Sequence, residues 1–545
     1  MKIKQIHTLT ILVLATLWSS CSDFLDKVPD NRAELVTSKQ ISKFLSSGYS
    51  DGNYAVMCEL SSDNFIDNNS PDKNGIYYNL SSFDRMHDEI FAFEAAVSSD
   101  EQDSPSAVWS GCYKAIAVAN HALKAIETIE AQGKGNEVKA QKGEALLIRA
   151  YNHFILVNIF AKTYKNDLLS AQDKGIPYVT EPETKVLVNY ERESVSDVYN
   201  LIEKDLIEGL VLVDDVLYDV PKYHFNKRAA NAFAARFFLF KRKYADVVKY
   251  ASAALGEIPS KKMRNWNANY PTYDAFVYGW INASNENNFL LVQTQSWVNR
   301  IFGTRYGCNR EAATATIFGS GPTWTGFSYH PCYNGKLYLR GAQDYGLFFP
   351  KSGELFEYTD KVARIGFAHI VRAEFTGDET ILCRAEALVY LNRTTEAIAD
   401  LKTFDDARHM NGVSMPSLTE TLIRNFYTPG RTPYVNTFNT ENISPDFVVS
   451  TNQKALIDCI LHYRRIETVF DGLRWFDLKR YGIEITHHVG KSREEILTWN
   501  DERRALQIPQ EVIAAGMEAN TRLTDGSAPN NTLLKLSPTI ENIEK

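Results

Sequence analysis

The fold class of this chain of 545 residues is decided by one stretch, residues 234–251, which reads AARFFLFKRKYADVVKYA. Apolar and aromatic residues recur in it at helical spacing. The surrounding pattern predicts two consecutive helices, Lys227 to Phe240 and Tyr244 to Leu255. The first is rich in alanine, and such small side chains allow a neighbouring helix to approach closely.

This helix pair resembles a degenerate tetratricopeptide unit, in which each pair stacks on the next to finish burying its apolar face. The regular period of that repeat is not maintained. Further helices are predicted for Thr37 to Ser47, Ser104 to about Glu130, Lys139 to about Tyr164, Ser194 to Val213, Asp378 to Leu391 and Thr395 to Arg408. The predicted fold class is therefore mainly α: a tetratricopeptide-like superhelix of helical pairs with long loop-rich insertions and a few short strands.

A single domain is expected over residues 37–545, with a helical framework at about 104–255 and 376–482 and a C-terminal segment at 483–545. Two insertions, about 51–103 and 256–375, are polar or rich in Gly, Asn, Pro and aromatic residues. Irregular loops with short strands are expected there. Loops carried by a rigid frame commonly hold binding residues, so both insertions are candidates for ligand binding.

The composition excludes several classes of protein. The chain is 44% hydrophobic, 23% charged and 12% aromatic, which indicates a folded globular protein rather than long disorder or many membrane spans. The formal charge is -8 and no basic stripe occurs, so broad electrostatic capture of nucleic acid is not expected.

An export signal is predicted for residues 1–20. Lys2 and Lys4 precede a short apolar run, Leu9 to Trp18, which is too short to cross a bilayer as a permanent helix. Cleavage before Cys21 would leave an N-terminal cysteine for lipid attachment, palmitate included, as in bacterial lipoproteins, followed by a tether at 21–36. A plain secretory signal cut nearby is the alternative.

The other six cysteines show no C-x-x-C pair and no zinc-site spacing. Cys112 and Cys383 fall in helical patterns, where a small buried residue is expected. Cys308 and Cys332 share a loop-rich region and are the candidates for a disulfide.

Four blocks of sequence resemble the SusD/RagB family, the surface lipoproteins of Bacteroidetes nutrient-uptake systems. They are, in chain order, CSDFLDKVP at 21–29, GEALLIRAYNHF at 143–154 with GIPYV at 175–179, SVSDVYNLIEKDL at 194–206, and RRIETVFDGLRWFDLKRYG at 464–482 followed by LQIPQE at 506–511. Together these blocks extend over nearly the whole mature chain.

The resemblance implies a non-catalytic lipoprotein on the outer membrane, exposed at the cell surface. Such a protein captures a glycan, or in some branches a peptide, and delivers it to a SusC-like TonB-dependent barrel on which it acts as a lid. Two other classes stay open: a surface glycoside hydrolase, and a scaffold whose helical repeats hold other proteins. No cofactor is expected.

The charged block at 464–482 is interpreted as structural. Its charges, three or four residues apart, predict a ladder of ion pairs along one helical side rather than an active site; they are Arg464, Glu467, Asp471, Arg474, Asp477 and Arg480. A glycine inside this helix, Gly472, costs about 1 kcal/mol relative to alanine and suggests a tight packing contact.

Catalytic and metal-binding motifs are weak. Gly490-Lys-Ser492 lacks the earlier glycine of a phosphate loop, because Ile485 occupies that position. His487 and His488 would point to opposite sides of a regular element. A loop with Asp63, Asp67 and Asp72 has oxygen ligands for calcium, but its spacing does not match an EF-hand and a solvated loop is favoured.

Sugars stack their apolar faces on aromatic rings and hydrogen-bond polar side chains, so an aromatic platform with polar neighbours is the expected site. Candidates in the first insertion are Tyr77 and Tyr78 with Asn74 and Asn79. Candidates in the second are Trp266, Tyr270, Trp280, Trp297, Trp324 and Tyr329 with Asn299 and Arg300. Trp324 is the strongest of them, because Gly319-Ser-Gly-Pro-Thr predicts an exposed turn around it.

Overall fold

The computed structural model describes residues 35–522 except 73, 184–189, 302, 315–318, 326–345, 349, 428–437, 439–445 and 447–448. The predicted export signal and Cys21 lie outside this range. No helix in the described part of the chain is long and apolar enough to span a membrane.

Helices dominate the described residues, which confirms the mainly α fold class. In chain order they are α1 (Ser38–Leu45), α2 (Ala55–Leu60), α3 (Arg85–Phe91), α4 (Pro105–Ala131), α5 (Lys139–Phe160), α6 (Asp167–Ser170), α7 (Val195–Leu212), α8 (Lys227–Lys241), α9 (Tyr244–Leu255), α10 (Tyr273–Trp280), α11 (Val298–Ile301), α12 (Arg310–Thr314), α13 (Gly377–Tyr390), α14 (Thr394–Asp406), α15 (Glu420–Phe426), α16 (Thr451–Glu467), α17 (Leu473–Arg480) and α18 (Gln510–Ala514).

The long helices pack as a chain of neighbours: α4 contacts α5, α5 contacts α7, α8 contacts α9, α9 contacts α13, and α13 contacts α14 and α16. Side chains that cap the first turns fix where several of these helices begin. Ser104 accepts a hydrogen bond from the amide of Ala107 at 3.0 Å, and Ser194 accepts one from the amide of Asp197 at 3.1 Å. Caps of this kind satisfy amides that the helix itself leaves unpaired.

Arg236, within the stretch 234–251, joins the helical frame to the sheet. It is almost fully buried and donates to Glu374 at 2.8 Å and to Glu379 at 2.8 and 3.0 Å. Its guanidinium also lies 4.2 Å from the ring centre of Phe375. The stretch therefore does more than form a helix pair. Through Arg236 it also links α8 by ion pairs to α13 and to the strand that carries Glu374.

Short strands occur in the second insertion, as predicted. The strands are β1 (Ile66–Asp67), β2 (Asn288–Gln295), β3 (Tyr306–Gly307), β4 (Leu355–Asp360), β5 (Ile365–Thr376), β6 (Ile485–Val489) and β7 (Arg493–Leu497). An antiparallel sheet has the order β2-β5-β4, and β1-β3 and β6-β7 form two-stranded pairs. Since β5 runs directly into α13 with Thr376 as its N-cap, this sheet is fixed to the helical frame.

The prediction of one helix through Gly472 is wrong. The helix α16 ends at Glu467 and α17 begins at Leu473, so Gly472 lies between them at φ +80°. A Cβ there would lie 2.9 Å from the Cα of Ala55 and 3.0 Å from the Cβ of Cys58. The predicted tight contact is confirmed, but it is made at a turn.

The charges of the 464–482 block do form structural ion pairs, but not a ladder on one helical side. Most of their partners lie on other elements, and the pairs are buried. Arg474 meets Asp63 at 2.8 Å, Arg480 meets Glu386 at 2.8 Å, and Arg464 meets Asp477 at 2.8 Å. A charge that is buried away from water requires a partner of opposite charge. Because these partners lie on different elements, the ion pairs of the block link those elements to one another.

The predicted buried cysteines are confirmed. Cys112 lies buried in α4 and Cys383 lies buried in α13, and burial raises the pKa of both thiols. Cys332 lies outside the described residues, so its pairing with Cys308 stays a prediction.

Candidate ligand-binding surface

Trp297 lies two residues after the end of β2, and a buried carboxylate holds its main chain in place. Asp103 accepts hydrogen bonds from the Trp297 amide at 2.8 Å, the Ser296 hydroxyl at 2.8 Å and the Asn53 side-chain amide at 2.7 Å. Asp103 itself adopts the left-handed conformation, at φ +67°. Burial raises the pKa of Asp103 to about 6, although all three donors favour its ionised form.

The ring of Trp297 is half-buried and pairs with a second ring from the first insertion. The Phe83 ring lies edge-to-face against it, with the centroids 5.9 Å apart. Phe83 is 37% exposed and stacks on His87 at 6.1 Å. The two insertions therefore meet here in an accessible pair of aromatic rings.

An ion pair lies close in sequence to Trp297. The Nε and Nη2 atoms of Arg300, on α11, donate to the two carboxylate oxygens of Glu354 at 2.9 and 2.8 Å. These bonds raise the pKa of Arg300. A bidentate pair holds the guanidinium plane in one orientation, even at this exposed position.

We call the group formed by Phe83, Trp297, Arg300 and Glu354 the Trp297 surface. It offers apolar ring faces together with a fixed donor group and a fixed acceptor group, which suits a ligand that has both an apolar face and hydroxyl groups. Of its four residues, the sequence predicted Trp297 and Arg300. It missed Phe83 and Glu354, since nothing in the local pattern indicates that Phe83 packs on Trp297 or that Glu354 pairs with Arg300.

Tyr77 is the most exposed of the other aromatic candidates that the structure describes, at 46%. Its hydroxyl accepts a hydrogen bond from Lys491 at 3.0 Å, and the same ammonium lies 4.2 Å from the ring centre. The hydrogen bond from Lys491 lowers the pKa of Tyr77. Lys491 thus occupies one face of this ring. The neighbouring Tyr78 is half-buried, and its amide donates to the Asn68 carbonyl oxygen at 2.8 Å.

The expectation that Trp266 and Trp280 lie on a loop surface is wrong. Both are buried and pack edge-to-face with centroids 5.6 Å apart. The Arg264 guanidinium covers Trp280 at 3.4 Å, and that of Arg408 lies 5.5 Å from Trp266. Helix α10 ends at Trp280 and directs that ring into the core, where it meets Trp266 from the preceding segment, so both rings are withdrawn from solvent.

The expected exposed turn at Trp324 is also wrong. Trp324 is only 3% exposed, and its indole N–H donates to the Gly319 carbonyl oxygen at 2.8 Å. Its ring packs against Tyr463 on α16 at 5.6 Å. The glycine-rich turn wraps around the ring, and a Cβ at Gly321 would overlap it at 1.9 Å.

Five further candidates complete the group, of which Tyr270 is half-buried and packs edge-to-face on Phe276 at 5.3 Å, and Asn79 is exposed. Asn299 is buried and donates to the Ser352 carbonyl oxygen. Asn74 is exposed, and its main-chain N–H donates to the carboxylate of Asp72 at 2.8 Å in a local turn. Tyr329 lies outside the described residues.

The aspartates considered for calcium are engaged by other groups. Asp63 accepts two hydrogen bonds from Arg474 at 2.8 Å, and Asp67 accepts two from Arg305 at 3.0 and 2.7 Å. Asp63 is thus part of a buried ion pair rather than a solvated loop. A guanidinium at each carboxylate repels a cation, so the described geometry does not favour calcium there.

His487 and His488 point to opposite sides of β6, as predicted. The ring of His487 is sandwiched between Phe91 and Phe93 at 4.1 and 4.5 Å, whereas His488 is exposed.

Two family models match this chain. One, described as "Starch-binding associating with outer membrane" in the SusD-like group, matches residues 23–239; the other, the SusD family, matches residues 378–525. Between them they cover most of the helical frame. The chain belongs to the SusD/RagB family.

Solved structures of this family share the fold. A SusD superfamily protein of Bacteroides thetaiotaomicron is 16% identical, with a TM-score of 0.61 over 89% of this chain and 100% of that one. One from Bacteroides vulgatus is 17% identical, with a TM-score of 0.59 over 89% and 98%. A protein of B. vulgatus described as a SusD-like carbohydrate binding protein is 16% identical, with a TM-score of 0.52 over 88% and 96%. No curated protein matches this SusD-family chain.

Proposed function

We propose that this SusD-family protein is a non-catalytic binding lipoprotein. It captures an oligosaccharide or polysaccharide at the cell surface and delivers it to a SusC-like TonB-dependent barrel. The observation that carries the proposal is the Trp297 surface, where two accessible rings meet and where Arg300, three residues further along the chain, pairs with Glu354. The outer-membrane, starch-binding description of the matching family model and the carbohydrate-binding description of a structural neighbour support it.

The chemistry of the surface suits a sugar. The C–H face of a pyranose ring stacks on an indole, while its hydroxyl groups need donors and acceptors in fixed positions. Asp103 fixes the main chain of Trp297, and Glu354 fixes the guanidinium of Arg300. A site whose groups are held before the ligand arrives loses less conformational entropy on binding.

Attachment to the outer membrane would come from lipid on Cys21, with residues 21–36 as the tether. Several acyl chains anchor a protein stably, whereas one chain holds it only marginally. Substitution Cys21→Ala is expected to leave the domain folded and to release it from the membrane fraction. Continued membrane retention of this variant would show that the anchor is assigned to the wrong residue.

The test is a glycan array with the chain from Ser22 onward, which retains every described residue. Tryptophan fluorescence follows each hit, and the same mixture is assayed for released sugar. Binding without product is expected. Product that disappears with the loss of one carboxylate would make the protein a hydrolase, and no binding to any glycan would direct attention to peptides.

Transfer to a transporter has its own test. Affinity purification of the lipidated protein from membranes of its host is expected to recover a TonB-dependent barrel of the SusC type. Recovery of no such barrel would contradict the delivery part of the proposal and leave glycan binding intact.

A further inference from the structure

A cavity separate from the Trp297 surface carries a second candidate site. It is a cavity of about 460 Å³ between α4, the segment 177–183 and the chain around α18, and none of the four residues of the Trp297 surface lines it. Pockets that hold small molecules have volumes of roughly 300–1,000 Å³. The cavity is therefore large enough for a small organic ligand.

The inner wall of this cavity is apolar and aromatic. Trp109 and Tyr113, one turn apart on α4, line it together with Ile116 and Met517. The rings of Trp109 and Tyr113 lie 5.0 Å apart, and the Tyr113 hydroxyl donates to the Pro177 carbonyl oxygen at 2.9 Å. These contacts hold the aromatic wall in one arrangement.

The charged residues that line the cavity are mostly acidic. They are Glu181, Glu183 and Glu511, and the lining contains a single lysine, Lys114. That lysine already pairs with Asp51, outside the cavity, at 3.2 Å. Tyr190, which also lines the cavity, donates from its hydroxyl to Glu183 at 2.7 Å.

Neighbouring cations are held by other partners. Lys124, further along α4, pairs with Glu127 at 2.9 Å, although its charge also acts on Glu181. The guanidinium of Arg192 donates to the Gly175 carbonyl oxygen and to the Asn520 side chain, each at 2.7 Å. The rim of the cavity thus has an excess of negative charge beside aromatic rings, which is complementary to an organic cation.

We propose that this cavity is a binding site for a small organic cation, a primary amine carried on an apolar body. The apolar body packs against Trp109 and Ile116, and the ammonium group lies at the carboxylate rim. Ammonium groups are stabilised both by carboxylates and by the faces of aromatic rings. The site is independent of the glycan surface, and its test uses no glycan.

Three probes of one shape and different charge test the proposal: 2-phenylethylamine, 2-phenylethanol and phenylacetate. Each is titrated into the chain from Ser22 onward by calorimetry, with tryptophan fluorescence as a second readout. The amine is expected to bind at least tenfold more tightly than phenylacetate, with the alcohol between them. Equal affinities, tighter binding of the anion, or no binding of any probe would overturn the proposal.

Two variants locate the binding. Ala117 lines the cavity, so Ala117→Phe is expected to abolish binding of the amine, whereas Ala245→Phe, on the exposed side of α9, leaves it unchanged. The double substitution Glu183→Gln with Glu511→Gln should raise the Kd of the amine at least threefold and the Kd of the alcohol by less than twofold. This variant decides alone if Ala117→Phe does not fold. Amine binding that survives both changes would place the site elsewhere.

Discussion

Two buried histidines, His153 and His462, make the stability of the fold depend on pH. His153 on α5 is fully buried; its Nδ1 donates to the Arg149 carbonyl oxygen at 2.8 Å, and its Nε2 accepts from the Val179 amide at 3.1 Å. These partners require the neutral ring. Burial lowers the pKa of His153 to about 3, and burial likewise lowers the pKa of His462 to about 3.

A folded-state pKa below the unfolded value means that the unfolded chain takes up protons first as the pH falls. The stability contributed by His153 is therefore complete above about pH 6.5 and is lost progressively below it, by about 2 kcal/mol between pH 7 and pH 5. We expect His153→Gln to reduce the loss of unfolding free energy over this range by about that amount, measured by urea denaturation. The exposed His488→Gln is the control, and an unchanged acid dependence in His153→Gln would contradict this account.

Gly472 combines backbone conformation with packing. Alanine at φ +80° costs about 1–2 kcal/mol for conformation alone, and its Cβ would also press on the Cα of Ala55 at 2.9 Å. Gly133 has φ +79° but no atom within 4 Å of its Cβ position, so Gly133→Ala measures the conformational cost alone. Denaturation is expected to show that Gly472→Ala is more destabilising than Gly133→Ala by at least about 1 kcal/mol. Equal losses of unfolding free energy in the two variants would show that the contact with Ala55 does not add to the cost.

At the scale of elements, Arg236 connects α8 to β5 and α13. Substitution Arg236→Met leaves Glu374 and Glu379 buried with fewer partners, so we expect a loss of about 3 kcal/mol in unfolding free energy. The matched control is Arg393→Met, which removes an exposed pair with Glu396 and should leave stability nearly unchanged. Similar effects of the two substitutions would mean that the buried pairs do not hold these elements together.

The helices could be predicted from the sequence because their signals are local. Caps such as Ser104 and Ser194 and the apolar periodicity of α4, α5 and α7 lie within each segment. The position of Trp324 could not be predicted, because its exposure depends on Tyr463, which is distant in the sequence. The break at Gly472 was missed for a similar reason: its close contacts are with α2.

At the scale of the whole molecule, a helical frame carries two candidate sites of different chemistry, the Trp297 surface and the cavity lined by Trp109 and Tyr113. The resemblance in sequence predicted the family correctly, since its blocks fall mainly on framework helices. It could not predict the Trp297 surface, which forms only when Phe83 from one insertion meets Trp297 from the other. Asp103, which positions Trp297, gives no local signal beyond its place before the cap of α4.

The most direct measurement is the affinity of the strongest glycan from the array for the wild-type chain and for Trp297→Ala, by calorimetry, with sugar release assayed in the same samples. Loss of a central stacking ring is expected to cost about 2 kcal/mol, or roughly thirtyfold in Kd, without product from either protein. Tyr278→Ala, which removes an exposed ring on α10, should bind like the wild type. Unchanged affinity in Trp297→Ala, or released sugar from the wild type, would contradict the account.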